Sequence, residues 1–184
     1  APADGVPGPT GTAPAGTACS GTSDTAHAVI LNSGSANACT GARGAADAAA
    51  AAVHVAGLLG CEPGDVLVCS TGVIGVPIDM PVLLAGAEVA AMTLDDGAEA
   101  AHMAARAVMT TDTVPKEDAL TLTVTGPDAA PATWTVGGMV KGVGMLAPTL
   151  ATMLCVVTTD AVVTAEDARA ALARAAGRTV NRIN

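Results

Sequence analysis

The chain contains no Phe and no Tyr, and Trp134 is its single Trp. Any core it builds must be filled by Ala, Val, Leu, Ile and Met. Small aliphatic side chains leave little space between elements, so helices and sheets have to approach closely instead of interlocking around large rings. The material for such a core is present, since 51% of the 184 residues are hydrophobic and 14% charged. This length suits one domain, or part of a larger one.

Charge removes several classes of function. The formal net charge is −9, with 8 Lys plus Arg against 17 Asp plus Glu, and the isoelectric point is near 4.4. No basic stripe is available to neutralise phosphates, which argues against nucleic acid as a partner. The same acidity opposes attraction to anionic lipid, and its simplest meaning is solubility. The Ala-rich run from Gly44 to Gly60 contains Asp47 and His54 and is too short and polar to span a bilayer. His27, His54 and His102 are isolated and lack metal-ligand spacing, so no metal is expected. Cys19, Cys39, Cys61, Cys69 and Cys155 form an odd set with no C-x-x-C. They read as buried free thiols of a reducing, cytoplasmic compartment.

Along the chain, residues 1–23 are rich in Pro, Gly, Ala, Ser and Thr and read as a flexible segment. Ala28–Leu31 reads as a buried strand, and the following NSGSANACTG as a loop. Residues 44–60 predict a helix stopped by Gly60 and Pro63-Gly64. A second strand follows over Asp65–Ser70. Asp79 is set to cap a helix reaching Met92, with Pro81 in its first turn. A third helix is expected over about 97–108. Ala119–Thr125 alternates as a strand, with 132–136 as its hairpin partner. Gly137–Gly144 reads as a glycine-dense turn around Lys141, and 152–159 as another apolar strand. Thr164-Ala-Glu-Asp167 then opens a helix running through Ala176. Strands and helices alternate, which favours an α/β fold.

Three stretches carry polar groups at places where chemistry could occur. In STGVIG (70–75), Thr71 and Gly72 either make a strand-to-loop turn or offer backbone N–H groups to an oxyanion. In MTTDTVPK (109–116), the paired hydroxyls of Thr110 and Thr111 either cap a helix or form a polar wall for substrate. In KGVGMLAPTLATML (141–154), Lys141 is one of two Lys residues, and is either a surface residue with its stem laid on apolar groups or a carboxylate anchor. Thr152 there is either a β-former at a strand start or a nucleophile.

Taken together and in this order, NSGSANACTG, STGVIG, MTTDTVPK, KGVGMLAPTLATML and TTDA resemble the glutamate N-acetyltransferase family, also called ornithine acetyltransferases, over about residues 28–184. The resemblance implies an α/β sandwich shared with N-terminal-nucleophile-like aminopeptidases and acetyltransferases, here incomplete. It also implies a precursor that cuts itself between Ala151 and Thr152. Residues 24–151 would then be α-chain-like and 152–184 the start of a β-chain-like region, with an α₂β₂ assembly in the full protein. Thr152 would become the nucleophile, with Thr71 and Gly72 stabilising the oxyanion. Thr110 (or its neighbour Thr111), Lys141 and Thr152 would bind substrate. The implied reaction moves acetyl from N2-acetyl-L-ornithine, and in some members from acetyl-CoA, to L-glutamate. It uses no metal and no organic cofactor. A catalytic-site Glu and further substrate-binding residues of the family fall in a long second chain beyond position 184. Two other readings compete: a related Thr-nucleophile hydrolase with water as acceptor, and an inactive fragment that only folds or associates.

Overall fold

A computed structural model describes residues 25–125, 131–144 and 152–183. The N-terminal segment expected to be flexible lies outside these residues. Strand β1 (Ala28–Ser35) is followed by helix α1 (Gly41–Leu59) and a short 3₁₀ turn, Pro63–Asp65. Strand β2 (Val66–Val73), helix α2 (Met80–Met92) and helix α3 (Ala98–Ala107) come next. Strands β3 (Glu117–Val124), β4 (Ala132–Val140) and β5 (Cys155–Thr159) precede helix α4 (Ala165–Arg178) and a last 3₁₀ turn, Val180–Arg182.

Two sheets result. β1 and β2 pair in parallel, Ala28 opposite Val66 through Ser35 opposite Val73. β3, β4 and β5 form an antiparallel sheet in that order. A parallel pair needs a crossover connection, and α1 supplies it. The helix ends as expected, with Gly60 in the left-handed region at φ 69°. α1 packs on α2 and β2. The core they share is Val55, Ala56, Val66 and Ala87, flanked by Ala28, Ile30, Ala52 and Cys61. It contains no ring, and Ala51 is completely buried. Close approach through small side chains is therefore the packing mode the composition demanded.

Local signals explain the helix starts. Asp79 accepts a hydrogen bond from the N–H of Val82, and Pro81 sits in the first turn of α2. Thr164 accepts one from the N–H of Asp167 at the start of α4. On the antiparallel sheet, Thr121 pairs with Thr135 and Thr123 with Thr133 through their hydroxyls.

Five expectations need correction. Asn32–Ser35 is not loop but the end of β1, and Thr71–Val73 is not turn but the end of β2. The two stretches pair with each other, and their ladder outweighs the poor strand propensity of Asn, Ser and Gly. Likewise Gly137–Val140 belongs to β4, held between β3 and β5, so the glycine-dense turn begins only at Lys141. Residues 152–154 precede β5, which begins at Cys155. Finally, Cys39, Cys61, Cys69 and Cys155 are free, yet Cys39 and Cys155 are exposed instead of buried. Among the described residues no helix is long and apolar enough to cross a membrane.

Candidate active site

The carboxyl ends of β1 and β2 form one border of an open cleft of about 830 Å³. Crevices at such strand ends are the usual ligand sites of open α/β sheets. Ser33 and Gly34 reach it from β1, and Thr71, Gly72 and Val73 from β2. Thr110 and Thr111 come from the segment after α3, Lys141 and Gly144 from the segment after β4, and Thr152 from just before β5. All six described side chains or backbones that the sequence singled out for chemistry thus border a single cleft. Ala151 lies outside the described residues.

At the floor of this cleft three residues are bonded to one another. The Thr71 hydroxyl donates to the carbonyl oxygen of Thr152 at 3.1 Å. The Lys141 ammonium donates to the Thr71 hydroxyl at 3.0 Å and to the same carbonyl at 3.3 Å. Thr71 is 1% exposed and Lys141 2%, whereas Thr110 and Thr111 are exposed. Lys141 is therefore no surface residue, which resolves one of the two readings its sequence context allowed. An ammonium has three donors, and these acceptors occupy two. Burial pulls the Lys141 amine below its ordinary value of 10.5, the nearby Lys116 charge acts in the same direction, and Asp112 opposes both.

Backbone conformation fixes two glycines at the site. Gly72 has φ +131°, and a Cβ there would stand 2.3 Å from both the carbonyl carbon and oxygen of Gly34. Gly34 itself has φ +127°. The strand ends can approach this closely only because position 72 carries no side chain.

Sequence reasoning passed over Asp112, Ser33 and Gly34. Ser33 donates to the carbonyl of Ala107, joining β1 to the end of α3. Asp112 is held by Lys116, four residues on, and by the N–H of Gly142 at 2.6 Å. Its one legible signal was the i,i+4 spacing to the only other Lys; the contact to Gly142 is long-range and invisible in sequence.

Fold and site together define an α/β protein with a buried threonine–lysine cluster at the mouth of a parallel strand pair. The sequence model of the ArgJ family matches residues 13–184. The arginine biosynthesis bifunctional protein ArgJ of Bifidobacterium longum is 56% identical over 157 residues, covering 85% of this chain and 38% of that protein. Its counterpart in Mycolicibacterium paratuberculosis is 50% identical over 163 residues, covering 86% and 38%. Among solved structures, the Mycobacterium tuberculosis ornithine acetyltransferase in complex with ornithine superposes with a TM-score of 0.57 at 45% identity, over 68% of this chain and 62% of that one. The Bacillus halodurans ArgJ structure gives 0.56 at 38% identity, over 68% and 61%. The chain belongs to the ArgJ family, and its fold is the α/β fold of that family in part. It spans 38% of the length of the curated relatives named here.

Proposed function

We propose that the full-length protein is an arginine-biosynthesis acetyltransferase that moves acetyl from N2-acetyl-L-ornithine to L-glutamate through an acetyl-Thr152 intermediate. The observation that carries this reading is the bonded cluster of Thr71, Lys141 and Thr152 in a cleft that Thr110 and Thr111 also line. Relatives named as bifunctional arginine-biosynthesis proteins, and one crystallised with ornithine, support the choice of substrates.

The steps follow from elementary chemistry. The Thr152 hydroxyl attacks the Ala151 carbonyl, and the peptide bond becomes an ester with release of the α-amine. Water then hydrolyses the ester, leaving the chain that ends at Ala151 and the chain that begins at Thr152 as separate, associated polypeptides of an α₂β₂ assembly. The new α-amine has a reference pKa of about 7.7–8.0. It can take the hydroxyl proton as Thr152 attacks the acetyl carbonyl of the donor. The tetrahedral oxyanion is stabilised by donors of Thr71 and Gly72. Collapse expels ornithine, whose amine takes back the proton. Glutamate's amine then attacks the acetyl ester, the Thr152 oxygen departs and takes the amine's proton by way of the α-amine, and N-acetylglutamate leaves with the Thr152 hydroxyl restored. The free donor of Lys141 takes a substrate carboxylate, beside the hydroxyls of Thr110 and Thr111.

Intact-mass measurement of the full-length protein tests the first half. Wild type should appear as two chains meeting between Ala151 and Thr152, Thr152→Ser should still be cut in part, and Thr152→Ala should stay whole. Radiolabelled acetyl transfer to glutamate tests the second half. A wild type that remains one chain and still transfers acetyl would overturn the reading.

A further inference from the structure

The two segments that bring substrate-facing groups into the cleft, 109–111 and 141–144, belong to different parts of the fold. One follows α3 and the other follows β4. Something must hold them in register, because a hydroxyl wall and an ammonium anchor are useful only at a set separation. Asp112 sits between them. Its carboxylate oxygen Oδ1 accepts from the Gly142 N–H at 2.6 Å and from the Lys116 ammonium. Its other oxygen, Oδ2, accepts from the Thr110 N–H at 3.4 Å. The side chain is 1% exposed, while that of Lys116 is 43% exposed. A carboxylate buried to this degree is stable only when its acceptor sites are filled. Here two of the three donors are backbone groups of the residues beside Lys141 and Thr111.

The glycines of Lys141-Gly-Val-Gly144 fit the same contact. A Cβ on Gly142 would stand 2.8 Å from Asp112 Oδ1, and one on Gly144 3.2 Å from the Thr111 methyl. The two segments therefore approach closely at Gly142 and Gly144, with the carboxylate at the first of these points. Asp112 does not itself border the cleft. Burial raises its carboxyl, but the bonds from Lys116, Gly142 and Thr110 and the Lys116 charge outweigh this and leave it below its ordinary value of 3.8. The group is thus a charged clamp at neutral pH.

We infer that Asp112 is a positioning residue of the acetyl-transfer site, fixing the Thr110-Thr111 segment against Lys141 by bridging the backbone N–H groups of Thr110 and Gly142. This inference rests on the function proposed above. Its test is steady-state kinetics of the full-length protein with N-acetylornithine and glutamate, with active sites counted by the burst of acetylation. Asp112→Ala removes the clamp, and KM for both substrates should rise about tenfold or more, with kcat per active site held within about threefold. Asp112→Asn keeps an acceptor for the Gly142 N–H and loses the one for Thr110, so its KM should fall between the two. A residue that merely stabilised the fold would lower the melting temperature and the number of active sites and leave KM unchanged; that result overturns the inference. Should Asp112→Ala fail to fold, Asp112→Asn decides alone: a raised KM at native kcat supports positioning, and a native KM refutes it. A wild type that binds and cleaves normally but transfers no acetyl refutes the proposed function itself, and the inference falls with it.

Discussion

Gly34 and Gly72 face each other across the parallel pair, at φ +127° and +131°. Replacing either by Ala forces an L-residue into a region it rarely adopts, at a cost of about 1–3 kcal/mol. Only one of the two positions is also crowded. A Cβ on Gly34 would meet nothing within 4 Å, whereas one on Gly72 would lie 2.3 Å from Gly34 backbone atoms. Backbone cannot rotate away as a side-chain tip can, so the strands must separate locally. Overpacking of this kind adds about 1–3 kcal/mol. Gly34→Ala therefore reads the conformational cost alone, and the difference between the two variants reads the close approach. With a urea slope of about 2 kcal/mol per molar, the midpoint of Gly72→Ala should fall roughly 0.5–1.5 M below that of Gly34→Ala. The assay is equilibrium urea unfolding of both full-length variants followed by far-ultraviolet circular dichroism. Equal midpoints, or a more stable Gly72→Ala, would refute the argument that the strand ends touch at this glycine.

Lys141→Met removes a charge-assisted donor worth about 1.5–3 kcal/mol, so KM for the carboxylate-bearing substrates should rise roughly 10- to 150-fold; an unchanged KM would remove Lys141 from the binding role. The same variant should show a pH signature. The fold disfavours the Lys141 ammonium, so the penalty is present below its lowered pKa and is relieved as pH rises from there to 10.5. Wild type should gain stability relative to Lys141→Met across that window, and a flat difference would contradict the burial argument. At the far end of the chain, Thr164→Ala deletes the acceptor for the Asp167 N–H. It should cost about 1 kcal/mol in chemical denaturation while leaving acetyl transfer at the wild-type rate.

Much of this protein was already decided by its letters. A chain without Phe or Tyr had to pack small residues face to face, and the Val55, Ala56, Val66 and Ala87 core does so. Local signals were equally direct: Asp79 and Pro81 open α2, Gly60 ends α1, and Thr164 opens α4, because caps and breakers act over three or four residues. The motifs that mark the family were legible for the same reason, being contiguous. Tertiary structure alone decided the rest. Asn32–Ser35 and Thr71–Val73 look like loops singly and become strand only against each other. Lys141 could have been a surface residue until its bonds to Thr71 and Thr152 buried it, and Asp112 showed only its i,i+4 spacing to Lys116 until the Gly142 N–H reached it across thirty positions. Short-range hydrogen bonds and propensities are encoded where they act, whereas long-range pairing depends on which partner the whole fold delivers, and no local stretch carries that information.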